Sequence, residues 1–576
     1  MDEKTLEMYN LWLNSSYIDE ADRDELKKLA GNEKEIQERF YTNISFGTAG
    51  MRGVRGVGTN RINKYMVRKA TQGLANYMLK MTGEEGAKKG VAIAYDCRIG
   101  SYEYAINSAL VLAGNGIKSY LFESLRTTPE LSFAVRELKA QAGIMVTASH
   151  NPQEYNGYKV YWDIGGQIVE PEASGIINSV NDIKDFAEIK MISEEEAKAK
   201  GLLEIVGQKL DDRFIEKVKK EAIHTDIPGK KDYKIVYSPL HGTAGRPVKR
   251  ILAEMGFESI YVVKEQEQPD GMFPTCSYAN PEDTTVFALS TKLADEVGAD
   301  LCIANDPDGD RTGIAVKDEN GNWLYPNGNQ IGMLFMDYIL KMTKPLPSNG
   351  AVVSTIVSTP ILDEIGKAYG VKVWRTLTGF KYIGEKIEEF KNKVLDGTYL
   401  FGFEESIGYL KGTHVRDKDA VVASLLLAEI GAYYHSQGTS IAKEIEKIYE
   451  TYGWYGEETV PVTKKGMDGA KEIAGIMANL REKEITEIVG KKVAVMKDFQ
   501  KQVETDYANG TKKAIELPKA DVLQFILEDG TMITVRPSGT EPKIKYYMYV
   551  KDTSKEKAEA KLADTKAKFL DFVDNL

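Results

Sequence analysis

One grammar recurs three times along this chain and leaves few folds open to it: apolar strand, polar loop, amphipathic helix, glycine, second apolar strand. The first copy runs over residues 91–95, 104–113, Gly114 and Gly116, then 117–122. The second runs over 234–237, 246–255, Gly256 and 260–263, and the third over 352–357, 361–369, Gly370 and 371–374. A glycine just past a helix suits the left-handed carboxyl cap, which other residues enter only against steric resistance. Short apolar strands alternating with helices of this length predict parallel βαβ units, with right-handed crossovers and sheets covered on both faces.

Each copy continues to one more buried strand, at 144–146, 301–304 and 399–401, that ends in an unusual polar loop. These loops are Ser149-His150-Asn151-Pro152, Asp306-Pro307-Asp308-Gly309-Asp310-Arg311 and Gly402-Phe403-Glu404-Glu405-Ser406. Ligands of α/β sheets gather at strand carboxyl ends, so the expected fold is three similar α/β domains facing one shared cleft. A chain of 576 residues exceeds one hydrophobic core and suits about three to five domains. Past about residue 450 the pattern changes to strands at 522–527 and 532–535 around Asp529-Gly530, then a charged helix at 555–572, which reads as a smaller α+β domain. The expected division is a helical extension at 1–40, then domains at 41–212, 213–325, 326–450 and 451–576.

A formal charge of −11 supplies no broad positive field, which argues against nucleic-acid or anionic-membrane partners. Phosphate chemistry in such a chain must use local basic pockets. Cys97, Cys276 and Cys302 lie far apart without CxxC spacing, so neither a disulfide framework nor a thiolate zinc site is expected. The amino end lacks the basic start and apolar core of a signal peptide, and no run approaches about 18 apolar residues. A cytoplasmic protein is expected.

Ser149 is a hydroxyl nucleophile at a strand end and needs a base, a metal or phosphate-binding charge to act. Thr147 and Asn151 stand where a nucleophile elbow requires glycine. Asp306, Asp308 and Asp310 alternate along a loop and suit a hard cation such as Mg²⁺; an EF-hand is excluded because Arg311 and Lys317 occupy its Gly and Glu positions. A plain Asp-rich turn would use the same residues. Arg536-Pro537-Ser538-Gly539-Thr540-Glu541-Pro542-Lys543 joins turn formers to two cations, as a phosphate cradle or an ordinary hairpin would. Phe46-Gly47-Thr48-Ala49-Gly50-Met51-Arg52-Gly53 is glycine-dense but neither a Walker nor a dinucleotide loop, and Arg52 suits a place beside a phosphoserine.

Asn156-Gly157 predicts a tight turn that brings Lys159 back toward Ser149, as a phosphate-neutralising cation or, with a depressed pKa, a base. His150 follows Ser149 and on an extended chain would point away from it. Thr378-Gly379-Phe380-Lys381 opens a helix and offers an anion or sugar contact. His241 reads as structural, and His224, His414 and His435 lack metal-ligand spacing.

Together these strings resemble the α-D-phosphohexomutase superfamily over nearly the whole chain. Thr147-Ala148-Ser149-His150-Asn151-Pro152 with Asn156-Gly157-Tyr158-Lys159 is similar to its phosphoserine signature, Asp306 to Arg311 to its metal loop, Gly402 to Ser406 to its sugar loop, and Arg536 to Lys543 to its phosphate loop. The segments Phe46 to Gly53 and Phe273-Pro274-Thr275-Cys276 through Asn280-Pro281-Glu282 look like the phosphoglucomutase branch, which also contains phosphopentomutases and glucose-1,6-bisphosphate synthases. Glu404-Glu405-Ser406 resembles glucose-directed members, whereas Phe403 departs from relatives that place Gly there.

The resemblance implies a heart-shaped, four-domain α/β fold, with three similar α/β domains of mixed sheets and a smaller carboxyl-terminal α+β domain around a central cleft, and a phosphotransferase of the isomerase class that acts on small phosphosugars. It implies a phosphorylated Ser149, one Mg²⁺ held by Ser149, Asp306, Asp308 and Asp310, and activation by glucose 1,6-bisphosphate. Arg52, His150 and Lys159 are implied beside the reacting phosphate. Substrate contacts are implied for Arg311, Thr378, Gly379, Lys381, Glu404, Ser406, Arg536, Ser538, Gly539, Thr540 and Lys543. The expected reaction interconverts glucose 1-phosphate and glucose 6-phosphate; pentose or mannose phosphates, a non-catalytic phosphosugar binder, and a monomer or dimer stay open at this point.

Overall fold

Among the described residues, three of the four sheets repeat one strand order, and that order explains why the polar loops meet. In the computed structural model, which describes residues 2–47, 50–464, 466–483, 485–538 and 543–576, the strand Val91–Tyr95 lies between Ser119–Phe122 and Ala142–Val146, parallel to both. Ile235–Ser238 lies likewise between Ile260–Val262 and Leu301–Asn305, and Gly350–Thr355 between Lys372–Thr376 and Thr398–Glu404. Each third strand then turns back as an antiparallel partner: Tyr155–Trp162, Thr312–Lys317 and Gly408–Leu410. The serine, aspartate and glutamate loops are therefore the same hairpin in three copies. The sheets are mixed, as the resemblance implies; the returning strand is the element the repeat grammar by itself does not reveal.

The capping glycines behave as their spacing predicts at Gly256 and Gly370, with φ of 84° and 66°. In the first copy Gly114 ends the helix Ser101–Gly114, and Gly116 alone takes the left-handed turn with φ of 74°. Asn156-Gly157 corrects the expected turn: both residues lie inside the strand Tyr155–Trp162. Asn156 Nδ2 donates to Ser101 Oγ at 3.0 Å and Ile99 O at 3.1 Å. A Cβ on Gly157 would lie 2.4 Å from Thr147 O, so glycine serves close backbone approach there.

The helices Glu3–Asn14, Glu20–Lys28 and Glu33–Phe40 pack Tyr9, Trp12, Leu26, Ile36 and Phe40 into the core of the first sheet. The carboxyl-terminal part is an antiparallel sheet covered by Lys555–Asp574. Its edge strand Trp454–Thr463 accommodates Pro461, as edges do. Among the described residues, no helix is long and apolar enough to cross a membrane.

Candidate active site

Ser149 sits at φ of 52°, a left-handed conformation that costs a non-glycine residue of order 1–3 kcal/mol and persists only where its surroundings over-determine it. One guanidinium does much of that. Arg98 is buried beside Asp96, with Nε 3.3 Å from Oδ2 and its ring-facing side 4.9 Å from Phe273. It donates to four carbonyls of the serine loop: Ser149 O at 2.6 Å, Asn151 O at 2.5 Å, Pro152 O at 2.9 Å and Tyr155 O at 3.1 Å. The turned backbone breaks the extended alternation, so His150 folds back and its Nδ1 lies 3.1 Å from Ser149 Oγ. Burial, then the cations Arg311 and Arg52, hold His150 well below the ordinary 6.5, which keeps the ring neutral.

Ser149 Oγ donates to Asp306 Oδ2 at 2.9 Å, joining the loops of two domains. Asp306 Oδ1 accepts from the backbone N–H groups of Asp310 and Arg311, at 3.1 and 2.9 Å. Asp308 Oδ2 accepts from Lys159 Nζ at 2.8 Å and Thr128 Oγ1 at 2.9 Å. Lys418 Nζ lies 3.1 Å from Asp310 Oδ2 and 3.0 Å from Asp417 Oδ1, and Tyr161 donates to Asp417 Oδ2 at 2.7 Å. Burial and then Asp308 and Asp310 push Asp306 well above the usual carboxylate range. Asp310 is raised by burial and then by Asp308. Burial works the same way on Asp308, but Lys159 beside it reverses the sign and holds it low.

This cluster is the one group of metal-ligating side chains found among the described residues, with one oxygen of each aspartate within 4.8 Å of the others. Asp308 Oδ1 and Asp310 Oδ1 are buried and accept no hydrogen bond. Carboxylate oxygens left open in a dry cluster match the all-oxygen donor set of a hard cation. Lys159 loses charge stability to burial, yet Asp308 and Asp310 more than offset it and its pKa is raised. Held charged by Asp308 and Asp310, Lys159 can neutralise phosphate.

Beside the cluster opens a cleft of about 1030 Å³ lined by all four parts of the chain; Ser149, Lys159 and the three aspartates lie behind its wall and meet it through His150, Arg311 and Lys418. Arg52, His150, Arg311, Thr378, Gly379, Lys381, Glu404, Ser406, Arg536, Ser538 and Lys543 all line it. Arg52 lies in the strand Met51–Val54, paired with Gly157, and Arg311 Nη1 is 3.3 Å from Glu282 Oε2. Glu404 Oε1 accepts from Gly379 N at 2.7 Å at the start of the helix Phe380–Lys391, tying the sugar loop to the Thr378–Lys381 turn. Ser538 N donates to Lys543 O at 2.7 Å and Arg536 Nη1 to Tyr547 OH at 3.5 Å. Gly539 and Thr540 lie outside the described residues. Phe403 points away from the cleft, buried and stacked on Phe401 and Tyr409 at 5.7 and 6.1 Å.

Sequence reasoning missed Arg98, Thr128, Asp417, Lys418 and Lys545. Lys545 lines the cleft beside Lys543, and burial lowers its pKa against the pull of Glu405. Alternation along the strand Lys543–Asp552 puts residues 543, 545 and 547 on one face, a signal available in the sequence.

Phosphoryl transfer needs little covalent help and much positioning and charge neutralisation, and this cleft is equipped for both, which defines the class of enzyme. Models of the phosphoglucomutase/phosphomannomutase family match in order: alpha/beta/alpha domain I over residues 43–186, domain II over 212–321, domain III over 327–452 and the C-terminal domain over 459–565. The chain belongs to that family. It is 37% identical over 538 residues to a phosphoglucomutase of Staphylococcus epidermidis, covering 93% of this chain and 96% of that one. A phosphoglucomutase of Staphylococcus aureus is 35% identical over 538 residues, 93% and 95% of the two chains. The fold is shared with the Paramecium phosphoprotein pp63/parafusin in its open form, TM-score 0.66 at 18% identity over 93% of this chain and 95% of that one. It is shared too with a family protein of Burkholderia thailandensis, TM-score 0.64 at 18% identity over 92% and 97%.

Proposed function

We propose that the chain is a phosphoglucomutase that interconverts α-D-glucose 1-phosphate and glucose 6-phosphate through phosphoserine 149 and glucose 1,6-bisphosphate. The observation that carries this reading is the 2.9 Å contact of Ser149 Oγ with Asp306, next in sequence or loop to His150 and Arg311, which line the same cleft as Arg536, Lys543 and Lys545. In the first half-reaction the bond from Ser149 Oγ to phosphorus breaks and phosphorus bonds to the free sugar hydroxyl. The hydroxyl proton ends on Ser149 Oγ, and neutral His150 suits the relay. The bisphosphate then turns and returns its other phosphate to Ser149.

Arg536, Ser538, Gly539, Thr540 and Lys543 grip the phosphate that is not reacting. Arg52, Lys159 and Arg311 neutralise the one that is. Glu404 and Ser406 hold ring hydroxyls, with Thr378, Gly379 and Lys381 beside them. Asp306, Asp308, Asp310 and Ser149 hold one Mg²⁺, which when bound supplies Lewis-acid polarisation of the phosphoryl group. Glucose 1,6-bisphosphate serves as activator, and free Cys97, Cys276 and Cys302 suit a cytoplasmic setting.

The test is a coupled assay across glucose, mannose, ribose and deoxyribose 1-phosphates with Mg²⁺ and catalytic glucose 1,6-bisphosphate. Glucose 1-phosphate is expected to turn over fastest, and Ser149→Ala to abolish turnover while still binding the bisphosphate. A pentose preference reassigns the substrate; unchanged turnover in the variant removes the mechanism.

A further inference from the structure

The middle aspartate of the cluster is gripped from a different domain. Thr128 is the first residue of the helix Thr128–Glu137 in the serine-bearing domain and is fully buried. Its Oγ1 donates to Asp308 Oδ2 at 2.9 Å and its backbone N–H to Asp308 O at 2.8 Å. Both donors of one residue thus close on one residue of the metal loop.

The helix start that presents them is rigid for local reasons. Thr127 N donates to Glu130 Oε2 at 2.9 Å and Glu130 N to Thr127 Oγ1 at 3.2 Å, a reciprocal cap. Arg126, one residue earlier, grips Asp211 with Nε and Nη2 at 2.8 and 2.9 Å. The next loop residue, Gly309, has φ of 67°, and a Cβ there would lie 2.6 Å from Thr127 Cγ2. Helix start and loop are therefore fitted to each other at van der Waals distance.

The two donors on Asp308 Oδ2 differ in kind. Lys159 brings a full positive charge, which repels a divalent cation and is also needed for phosphate. Thr128 brings a directed O–H without charge. With Oδ2 occupied by both, the oxygen left open is Oδ1, buried and without a hydrogen bond. Partners behind a ligand carboxylate fix its orientation and commonly account for about 10–100-fold in metal affinity. We propose that Thr128 is a positioning residue for metal binding: its hydroxyl turns the Asp308 carboxylate so that Oδ1 faces the cation. The inference rests on reading the aspartate cluster as a Mg²⁺ site.

The experiment titrates Mn²⁺, followed by electron paramagnetic resonance with Mg²⁺ competition, into full-length, dephosphorylated wild type, Thr128→Val and Thr128→Ser. Valine keeps the shape and removes the hydroxyl; serine keeps the hydroxyl. The expected result is about 10–100-fold weaker Mn²⁺ binding in the valine variant, with serine close to wild type and circular dichroism unchanged. If the valine variant does not fold, Thr128→Ala carries the same comparison. A folded valine or alanine variant that binds Mn²⁺ like wild type, or a serine variant as weak as valine, overturns the inference alone. Wild-type protein that binds no Mn²⁺ overturns the metal reading and this inference with it.

Discussion

Arg98→Lys keeps the charge behind the serine loop and removes the fork. The guanidinium reaches four carbonyls through two nitrogens, at 2.5 to 3.1 Å, whereas an ammonium offers three donors from a single point. With three donors for four carbonyls at least one bond is lost, and because the donors radiate from one point on an unforked side chain, instead of the two nitrogens that serve two carbonyls each, the expected loss is two. Bonds to a charged donor contribute about 1.5–3 kcal/mol each, so the loop loses about 3–6 kcal/mol, nearer the lower figure once water reaches the freed carbonyls. That matches or exceeds the 1–3 kcal/mol of strain that a left-handed Ser149 holds, on the order expected for such residues, so the turn relaxes and Oγ leaves Asp306. A loss of about 3 kcal/mol of positioning corresponds to roughly a hundredfold in rate. The assay is steady-state turnover of glucose 1-phosphate with phosphoserine occupancy by intact mass. The expected result is kcat down about a hundredfold with little change in KM, because Arg98 is not part of the cleft lining. A folded Arg98→Lys protein with wild-type kcat and full occupancy refutes the reasoning.

Two further expectations concern stability. The carboxylate of Glu457 is buried beside the polar side chains of Asn327, Thr359 and Asn329, and burial outweighs them and pushes its pKa up to about 7. The folded state then binds the proton more tightly than the unfolded one between the ordinary 4.5 and 7, so this group's contribution is full at low pH and is lost as pH rises through 7. Glu457→Gln should flatten that part of the stability profile, measured as urea midpoints from pH 5 to 8; an unchanged slope contradicts the assignment. Gly332 faces Phe403, and an added Cβ would lie 2.2 Å from its ring. Gly332→Ala should cost about 1–3 kcal/mol by overpacking, seen as a lower urea midpoint that Phe403→Leu partly restores, and a wild-type midpoint argues against it.

Much of the fold was legible because local chemistry and tertiary structure agree. Gly256 and Gly370 sit past their helices with positive φ, and the alternating aspartates do form one cluster. Asn156-Gly157 misled because the dipeptide that favours tight turns also serves where a backbone passes close, as at Thr147 O. The run Arg416-Asp417-Lys418-Asp419 carried no signal: four successive charges read as a solvated surface, yet all four are buried. Their partners lie far off in sequence, with Lys418 on Asp310 and Arg416 on Glu388 at 2.6 Å. Whether a charge is buried depends on what answers it, and Arg98 escaped notice for that reason. Phe403 is accommodated by Gly332, whose missing side chain makes room for its ring.

The ionic chain Lys159, Asp308, Asp310, Lys418, Asp417 draws its members from three domains. Pulling any two apart would strand a charge in a dry interior, a penalty of about 3–5 kcal/mol for each broken partner. The carboxyl-terminal sheet meets its neighbour differently, through Ile356, Val357, Leu377, Tyr547 and Tyr549 and the hydrogen bond of Gln524 Nε2 to Ile356 O at 3.0 Å. Among the described residues the ion pair that crosses this joint, Lys551 with Glu364 at 3.7 Å, is exposed on both sides, so separating it costs little beside breaking a buried pair. A molecule built this way has three parts welded by buried charge and one seated mainly on apolar and amide contacts, so of the four it is the last that shifts at the least electrostatic cost.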